Sequence, residues 1–137
     1  MAETFEIEIV TPDKLVVRDM AEEIQIPAKR GYIGVLPGHS PLITELSIGE
    51  ITYRNAGTVS HISVAWGFAE VLPYKVTILA EAAERAEEID LKRARDAKSR
   101  AEERLQSGHT DVDFTRALNA LQRAETRVKV AESLVTK

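Results

Sequence analysis

Proline and glycine run out before two thirds of this 137-residue chain. All five Pro and six of the seven Gly lie before residue 85, which leaves Gly108 as the one such breaker afterwards. Pro removes a backbone donor and Gly costs chain entropy, so a stretch free of both can run as long helices. A stretch dense in both is cut into short elements and turns. The chain therefore reads as two units, 1–84 and 85–137. Charge divides at the same place. Residues 1–84 carry 6 basic and 12 acidic side chains and residues 85–137 carry 12 and 10, so the net −4 conceals −6 and +2. The length suits one domain with an appendage.

The first unit reads as β. Phe5, Ile7 and Ile9 alternate with Glu6 and Glu8, the period of a half-buried strand. Thr11-Pro12-Asp13-Lys14 is a turn, Val16-Val17 a short strand, and Ile24 and Ile26 a strand that stops at Pro27. Residues from Gly31 to Pro41 are loops and short pieces. Ile51 and Tyr53 turn at Asn55-Ala56-Gly57 into a returning strand over 59–64. Trp66 to Val71 and Val76 to Leu79 complete the set, with Trp66 and Phe68 read as core. Short strands at this spacing, with no helix between them, predict an antiparallel β-sandwich or barrel.

The second unit reads as two helices. Asp90 is suited to cap a helix over 91–106, with Leu91, Ala94, Ala97, Ala101 and Leu105 on one face. Ser107-Gly108-His109-Thr110 breaks it, and Asp111 or Asp113 caps a second helix. That helix carries Phe114, Ala117, Leu118, Leu121, Ala124, Val128, Ala131 and Val135 at helical spacing. The short loop makes an antiparallel hairpin. A seam rich in Ala lets the helices approach closely but buries little area at about 25 cal/mol per Å2. Such a hairpin must dock on something and is able to let go. The fold class is α+β, a sandwich followed by a two-helix hairpin.

Much chemistry is excluded. With no Cys there is no disulfide, thiolate catalysis or Cys-based zinc site, which fits a reducing compartment. The three His, at 39, 61 and 109, have no ligand spacing, so no metal is expected. There is no phosphate loop, nucleophile elbow or zinc-protease helix, so no catalytic residue is assigned. An acidic balance argues against nucleic acid. The first residues, Met1 to Glu6, lack a basic, apolar leader, and no apolar run spans a membrane.

The arginines carry what signal there is. Eight follow Glu84. Arg93 and Arg100 lie two turns apart on the first helix, and Arg123 and Arg127 are i,i+4 on the second. A closed hairpin can present these four forks to phosphate oxygens, with Glu84 and Asp90 placed to accept from an amine such as that of adenine. The plainer alternative is a solvated face of ion pairs, with Glu87, Asp96, Glu103 and Glu125 among the bases.

Val10-Thr11-Pro12-Asp13, then Gly34-Val35-Leu36-Pro37-Gly38-His39-Ser40-Pro41-Leu42, Gly67-Phe68-Ala69-Glu70-Val71, Val76-Thr77-Ile78-Leu79-Ala80 and Ile89-Asp90-Leu91-Lys92-Arg93-Ala94 occur in this order. The series resembles the epsilon subunit family of bacterial F-type ATP synthases over nearly the whole chain. The resemblance implies a non-catalytic rotor subunit in the central stalk. Its sandwich binds the gamma subunit and the c ring and so couples proton translocation to ATP synthesis. Its hairpin folds on the sandwich or extends toward the alpha and beta subunits, and the extended form inhibits ATP hydrolysis. The basic balance after residue 84 suits docking on acidic beta-subunit surface.

Ile89-Asp90-x-x-Arg93-Ala94 matches the family motif for regulatory ATP. The resemblance assigns Glu84 and Asp90 to the base, and Arg93, Arg100, Arg123 and Arg127 to phosphate, with Ala94 in the motif. ATP is then a regulatory ligand, with no catalytic cofactor. Tyr32 and His39 are named for the loop facing the c ring. Relatives often carry an acid there, where this chain has Tyr32 or Ile33 after Lys29-Arg30. The resemblance places the chain peripherally on the cytoplasmic face of the inner membrane, attached through the complex. A stand-alone ATP-sensing module is the alternative. A small β-sandwich enzyme with a helical dimerisation hairpin is a third reading, weakened by the lack of a convergent catalytic set.

Overall fold

A computed structural model describes residues 3–108 and 113–134 of the chain. Eight strands come first: β1 Phe5–Val10, β2 Leu15–Ala21, β3 Glu23–Ala28, β4 Gly31–Val35, β5 Leu42–Leu46, β6 Gly49–Asn55, β7 Thr58–Leu72 and β8 Lys75–Arg85. A 3-10 turn at Ala86–Glu88 leads to helices α1 Leu91–Gln106 and α2 Phe114–Glu132. The strands hydrogen-bond in the order β2-β1-β8-β7-β5-β3-β4, with β6 joining β3 to β7. They fold into the expected sandwich, and the helices form the expected hairpin.

Strand β7 makes the sandwich possible. Its first part pairs with β6, Asn55 opposite Thr58 through Gly49 opposite Val64, and its second with β5, Leu46 opposite Gly67 through Leu42 opposite Val71. Between them, Trp66 and Gly67 take positive φ, 56° and 120°. Gly67 is required twice over: a side chain would be strained at that φ, and its Cβ would run into the Leu79 carbonyl oxygen. The strands expected at 59–64 and 66–71 are thus one strand bent in the middle. The bend also turns Phe68 outward, 52% exposed, which corrects its reading as core, while Trp66 is partly buried.

Other differences have local causes. Pro27 lies inside β3, tolerated because neighbouring Ala28 and the β4 ladder continue the pairing. The stretch read as loops contains β4, and β5 follows it. Both are short and rich in Gly or polar residues, which weakens their sequence signal. One pair, β1 with β8, runs parallel, Glu6 opposite Lys75 through Val10 opposite Leu79. The remaining pairs are antiparallel, and the intervening sandwich itself supplies the crossover.

The core follows the alternation. Phe5, Ile7, Ile9, Ile24, Ile26, Ile51, Ile62, Val64, Val76 and Ile78 are buried together. A second cluster joins Ala86, Ile89 and Ala94 to Val130 and Ala131, with Leu91 and Val128 against it. This small apolar plate packs the hairpin base against the 3-10 turn that follows β8. The hairpin seam is alanine as expected: Ala94, Ala101, Ala117 and Ala124 are buried. Phe114 and Leu118 are exposed instead, and Val130, on the face toward the 3-10 turn, is buried in their place. Val135, His109 and the alternative cap Asp111 lie outside the described residues.

Candidate functional site

Both helix starts are fixed by carboxylates. Asp90 Oδ1 accepts from Arg93 N at 3.0 Å, and Asp113 Oδ1 accepts from Arg116 N at 3.0 Å. These caps satisfy donors that a helix cannot pair internally. The caps set where each helix begins and so which side chains meet across the seam.

Across that seam lies a groove of about 300 Å3 lined by Ala97, Arg100, Ala101 and Arg104 of α1 and Ala120, Arg123, Ala124 and Arg127 of α2. Four alanines form its floor and four guanidinium groups its walls. Small residues let the helices approach and leave room that larger ones would fill. Three of the predicted arginines, Arg100, Arg123 and Arg127, come together here. Arg93 does not line the groove. It stands a turn below Ala97, where the hairpin base is occupied by the apolar plate containing Ala94. Arg104 takes the fourth position, and its i,i+4 spacing from Arg100 is the signal that would have found it.

Glu84 meets the arginines from the sandwich side. Arg127 Nε donates to its Oε1 at 2.6 Å and Arg127 Nη2 to its Oε2 at 3.3 Å, a two-pronged pair between β8 and α2. A smaller cleft of about 40 Å3, lined by Ser63, Ala65, Ala82, Glu84, Arg123 and Arg127 among others, continues from the groove to the sheet. Among the described residues Arg100, Arg104 and Arg123 have no ion-pair partner, and none of Glu87, Asp96, Glu103 and Glu125 forms an ion pair. The laced face of i,i+4 pairs is therefore absent there. Arg95 pairs across the hairpin instead, its Nη2 at 3.1 Å from Glu132 Oε2. Asp90, committed to its cap, does not line the groove.

A further acid holds the linker. Glu88 accepts from Lys14 Nζ at 2.8 Å and from Arg85 N and Nε at 3.2 and 3.3 Å. The Lys14 hydrogen bond holds its carboxyl below the usual carboxylate range, against the opposing effect of burial.

Tyr32 and His39, assigned to one loop, lie on different elements. Tyr32 lies on β4 and its hydroxyl accepts from Glu50 N at 2.9 Å, so it is tied to β6. His39 lies beyond the strand, where Gly38 N donates to Pro73 O at 2.8 Å and His39 Nδ1 sits 2.6 Å from Ser40 O. Tyr32 instead joins Lys29, Arg30, Ile43 and Phe68 around a cavity of about 680 Å3. Phe68 also borders a second cavity of about 370 Å3 with Val10, Pro12 and Leu79. Phe68 stands directly opposite Leu79 in the sheet, and with Ile43 they form an exposed apolar face that the sequence reading missed. Among the described residues no cluster of His, Cys, Asp and Glu is arranged to hold a metal. None of the described helices is long and apolar enough to cross a membrane.

Comparison with known proteins gives two family matches in tandem. Residues 4–86 match the β-sandwich domain of the ATP synthase delta/epsilon chain, and residues 87–132 match its long α-helix domain. An ATP synthase epsilon chain of Koribacter versatilis is 71% identical over 107 residues, 78% of this chain and 75% of the relative. One of Solibacter usitatus is 47% identical over 132 residues, 96% of this chain and 98% of the relative. A chain from the mitochondrial ATP synthase of Euglena gracilis, in an assembly of OSCP, F1 and c-ring, shares the fold with a TM-score of 0.78 at 24% identity, covering 93% of this chain and 81% of that one.

Proposed function

The chain belongs to the ATP synthase delta/epsilon family as a bacterial F-type epsilon chain, and from that premise we propose that it is a central-stalk rotor subunit coupling proton translocation to ATP synthesis. The observation that carries this is the pair of family domains, in order, over residues 4–132. The subunit contributes no catalytic site. Its partners are the gamma subunit, the c ring and, when the hairpin extends, the alpha and beta subunits. It sits at the cytoplasmic face of the inner membrane through the complex.

Two surfaces support this reading. The exposed face of Ile43, Phe68 and Leu79 is the seat we assign to gamma, since a contiguous apolar patch on a folded domain marks a protein contact. Lys29, Arg30 and Tyr32, at the neighbouring cavity, face the c ring in this reading. Co-purification tests it: a chain that fails to bind its host's gamma subunit is a stand-alone module, and loss of binding in Phe68→Asp places the contact.

The hairpin is the regulatory part. The arginine groove takes the phosphates of ATP through Arg100, Arg104, Arg123 and Arg127, and Glu84 stands at its edge for the base or for Arg127 itself. Arg93, Ala94 and Asp90 shape the hairpin base and its cap rather than touching phosphate. ATP that binds only the docked hairpin shifts the population away from an extended, hydrolysis-inhibiting form by mass action. Calorimetric titration of ATP into the full chain decides: no heat at millimolar ATP, or unchanged affinity in both Arg123→Ala and Arg127→Ala, refutes the site. Hydrolysis by the complex, with the full chain and with one ending at Glu88, tests inhibition.

A further inference from the structure

Glu50, Ser63 and Glu84 form one cross-strand row on β6, β7 and β8, since Glu50 is opposite Ser63 and Ser63 opposite Glu84. Ser63 is buried in the middle, and each end holds a base from α2. Glu84 takes Arg127, as above. Glu50, with a side chain only 12% exposed, has Lys129 Nζ 3.5 Å from its Oε1 and His61 Nδ1 2.9 Å from its Oε2. One carboxylate therefore serves two nitrogen groups, a permanent cation on the hairpin and an imidazole on the sandwich.

We propose that Glu50, His61 and Lys129 form a pH-sensitive latch that holds the hairpin on the sandwich at neutral and alkaline pH and weakens as the pH falls. The proposal rests on the movable-hairpin reading above. With His61 neutral, Lys129 faces a net negative pair. With His61 protonated, the imidazolium and Glu50 together are neutral, and Lys129 loses most of its attraction. By linkage, the released form then binds protons more readily than the docked form, so acid favours release. Imidazole is the side chain whose ordinary titration falls in this range. The other charged groups on elements packed around His61 include Glu84 and Arg85 on β8, Arg54 on β6, Glu87 and Glu88 on the 3-10 turn, and Arg123 and Arg127 on α2. Carboxylates, ammonium and guanidinium groups of these types keep their charge between about pH 6 and 8.

The chain has no Cys, so two introduced ones label it cleanly. Spin labels on Thr58→Cys of β7 and Gln122→Cys of α2, in the full chain without nucleotide, report docked and released hairpins as two distances. Going from about pH 8 to pH 6, the docked-to-released ratio falls by up to about fivefold, the range of a partly exposed ion pair. His61→Gln and Lys129→Met each flatten that response. Lys129 is largely exposed, so its variant folds whatever His61→Gln does. An unchanged wild-type ratio, or the full response retained in either variant, overturns the latch. Arg127→Ala, which removes the other tie, separates the two failures. If it releases the hairpin while wild type ignores pH, the latch alone is wrong. If it too stays docked at every pH, the movable hairpin is wrong and the latch falls with it.

Discussion

Breaking the Glu84–Arg127 pair tests how the hairpin is held. The pair is two-pronged, at 2.6 and 3.3 Å, and its side chains are 37% and 25% exposed. Fully exposed pairs contribute about 0.2–1 kcal/mol, whereas hydrogen bonds to charged groups shielded from water contribute about 1.5–3. The partial shielding here places this one at about 1–2 kcal/mol, or about 5–30-fold in the docked-to-released ratio. Arg127→Met keeps the aliphatic stem and removes the fork, and Glu84→Gln removes the charge at the other end. In a double-mutant cycle the two losses overlap, so their interaction energy is about 1 kcal/mol or more. The readout is amide exchange across the hairpin base, without nucleotide, at neutral pH and moderate salt. Raising the salt weakens wild type more than the double variant, which keeps only the Glu50–Lys129 contact between hairpin and sandwich. An interaction energy below about 0.3 kcal/mol refutes the reasoning. The apolar plate of Ile89, Ala94, Val130 and Ala131 and the Glu50–Lys129 contact would then hold the hairpin without this pair.

Three further outcomes follow from local geometry. Gly67→Ala places a Cβ against the Leu79 carbonyl at a φ of 120°, so it destabilises the sandwich by about 3 kcal/mol or more and lowers Tm by about 10 °C; a Tm within two or three degrees of wild type refutes the reading of the β7 bend. Asp90→Ala removes the α1 cap at a cost of about 1 kcal/mol, seen as faster amide exchange in the first turn of α1 with α2 unaffected. Glu88 has a folded-state pKa depressed by Lys14, so its contribution is present above the unfolded carboxyl value and is lost as the pH falls through the lower folded value. Lys14→Met reduces the acid dependence of urea stability in that window, and an unchanged pH profile counts against the Lys14 contact.

The helices were legible to the residue at α1, because an acid cap, a Pro-free interior and an alanine stripe all agree on one period. The strands were legible where Ile and Glu alternate. They were not where a strand crosses from one layer to the other. Trp66-Gly67-Phe68 alternates like any half-buried strand, yet the bend at Gly67 leaves Phe68 facing solvent. Local pattern records the period of a strand but not the layer it belongs to. The same limit applies to the site. Spacing places Arg93 and Arg100 on one face, and α1 does present both, but the groove extends only where the opposite helix provides a wall. That condition admits Arg104 and excludes Arg93. Glu50, His61 and Lys129 were invisible for the same reason, since they lie on three elements and meet only through register and docking.

The alanine seam links these parts. Leucine at Ala97, Ala101, Ala120 and Ala124 would bury more area and make a tighter hairpin, but it would fill the groove that the four arginines wall. Alanine keeps the groove open, at the cost of gathering like charges of which, among the described residues, only Arg127 is ion-paired. In the proposed site, an anion in the groove would relieve repulsion within the hairpin as well as gain its own contacts, so ligand binding and hairpin cohesion would be one equilibrium. The sandwich adds the second half of that balance. Its ties to α2 are two carboxylates at the ends of one row, each worth a modest factor; in the readings proposed above, phosphate would compete for Arg127 and a proton on His61 would weaken the other. A large apolar interface would have made the hairpin permanent. Weak and separable ties suit the movable hairpin proposed above, whose position would answer to solution conditions.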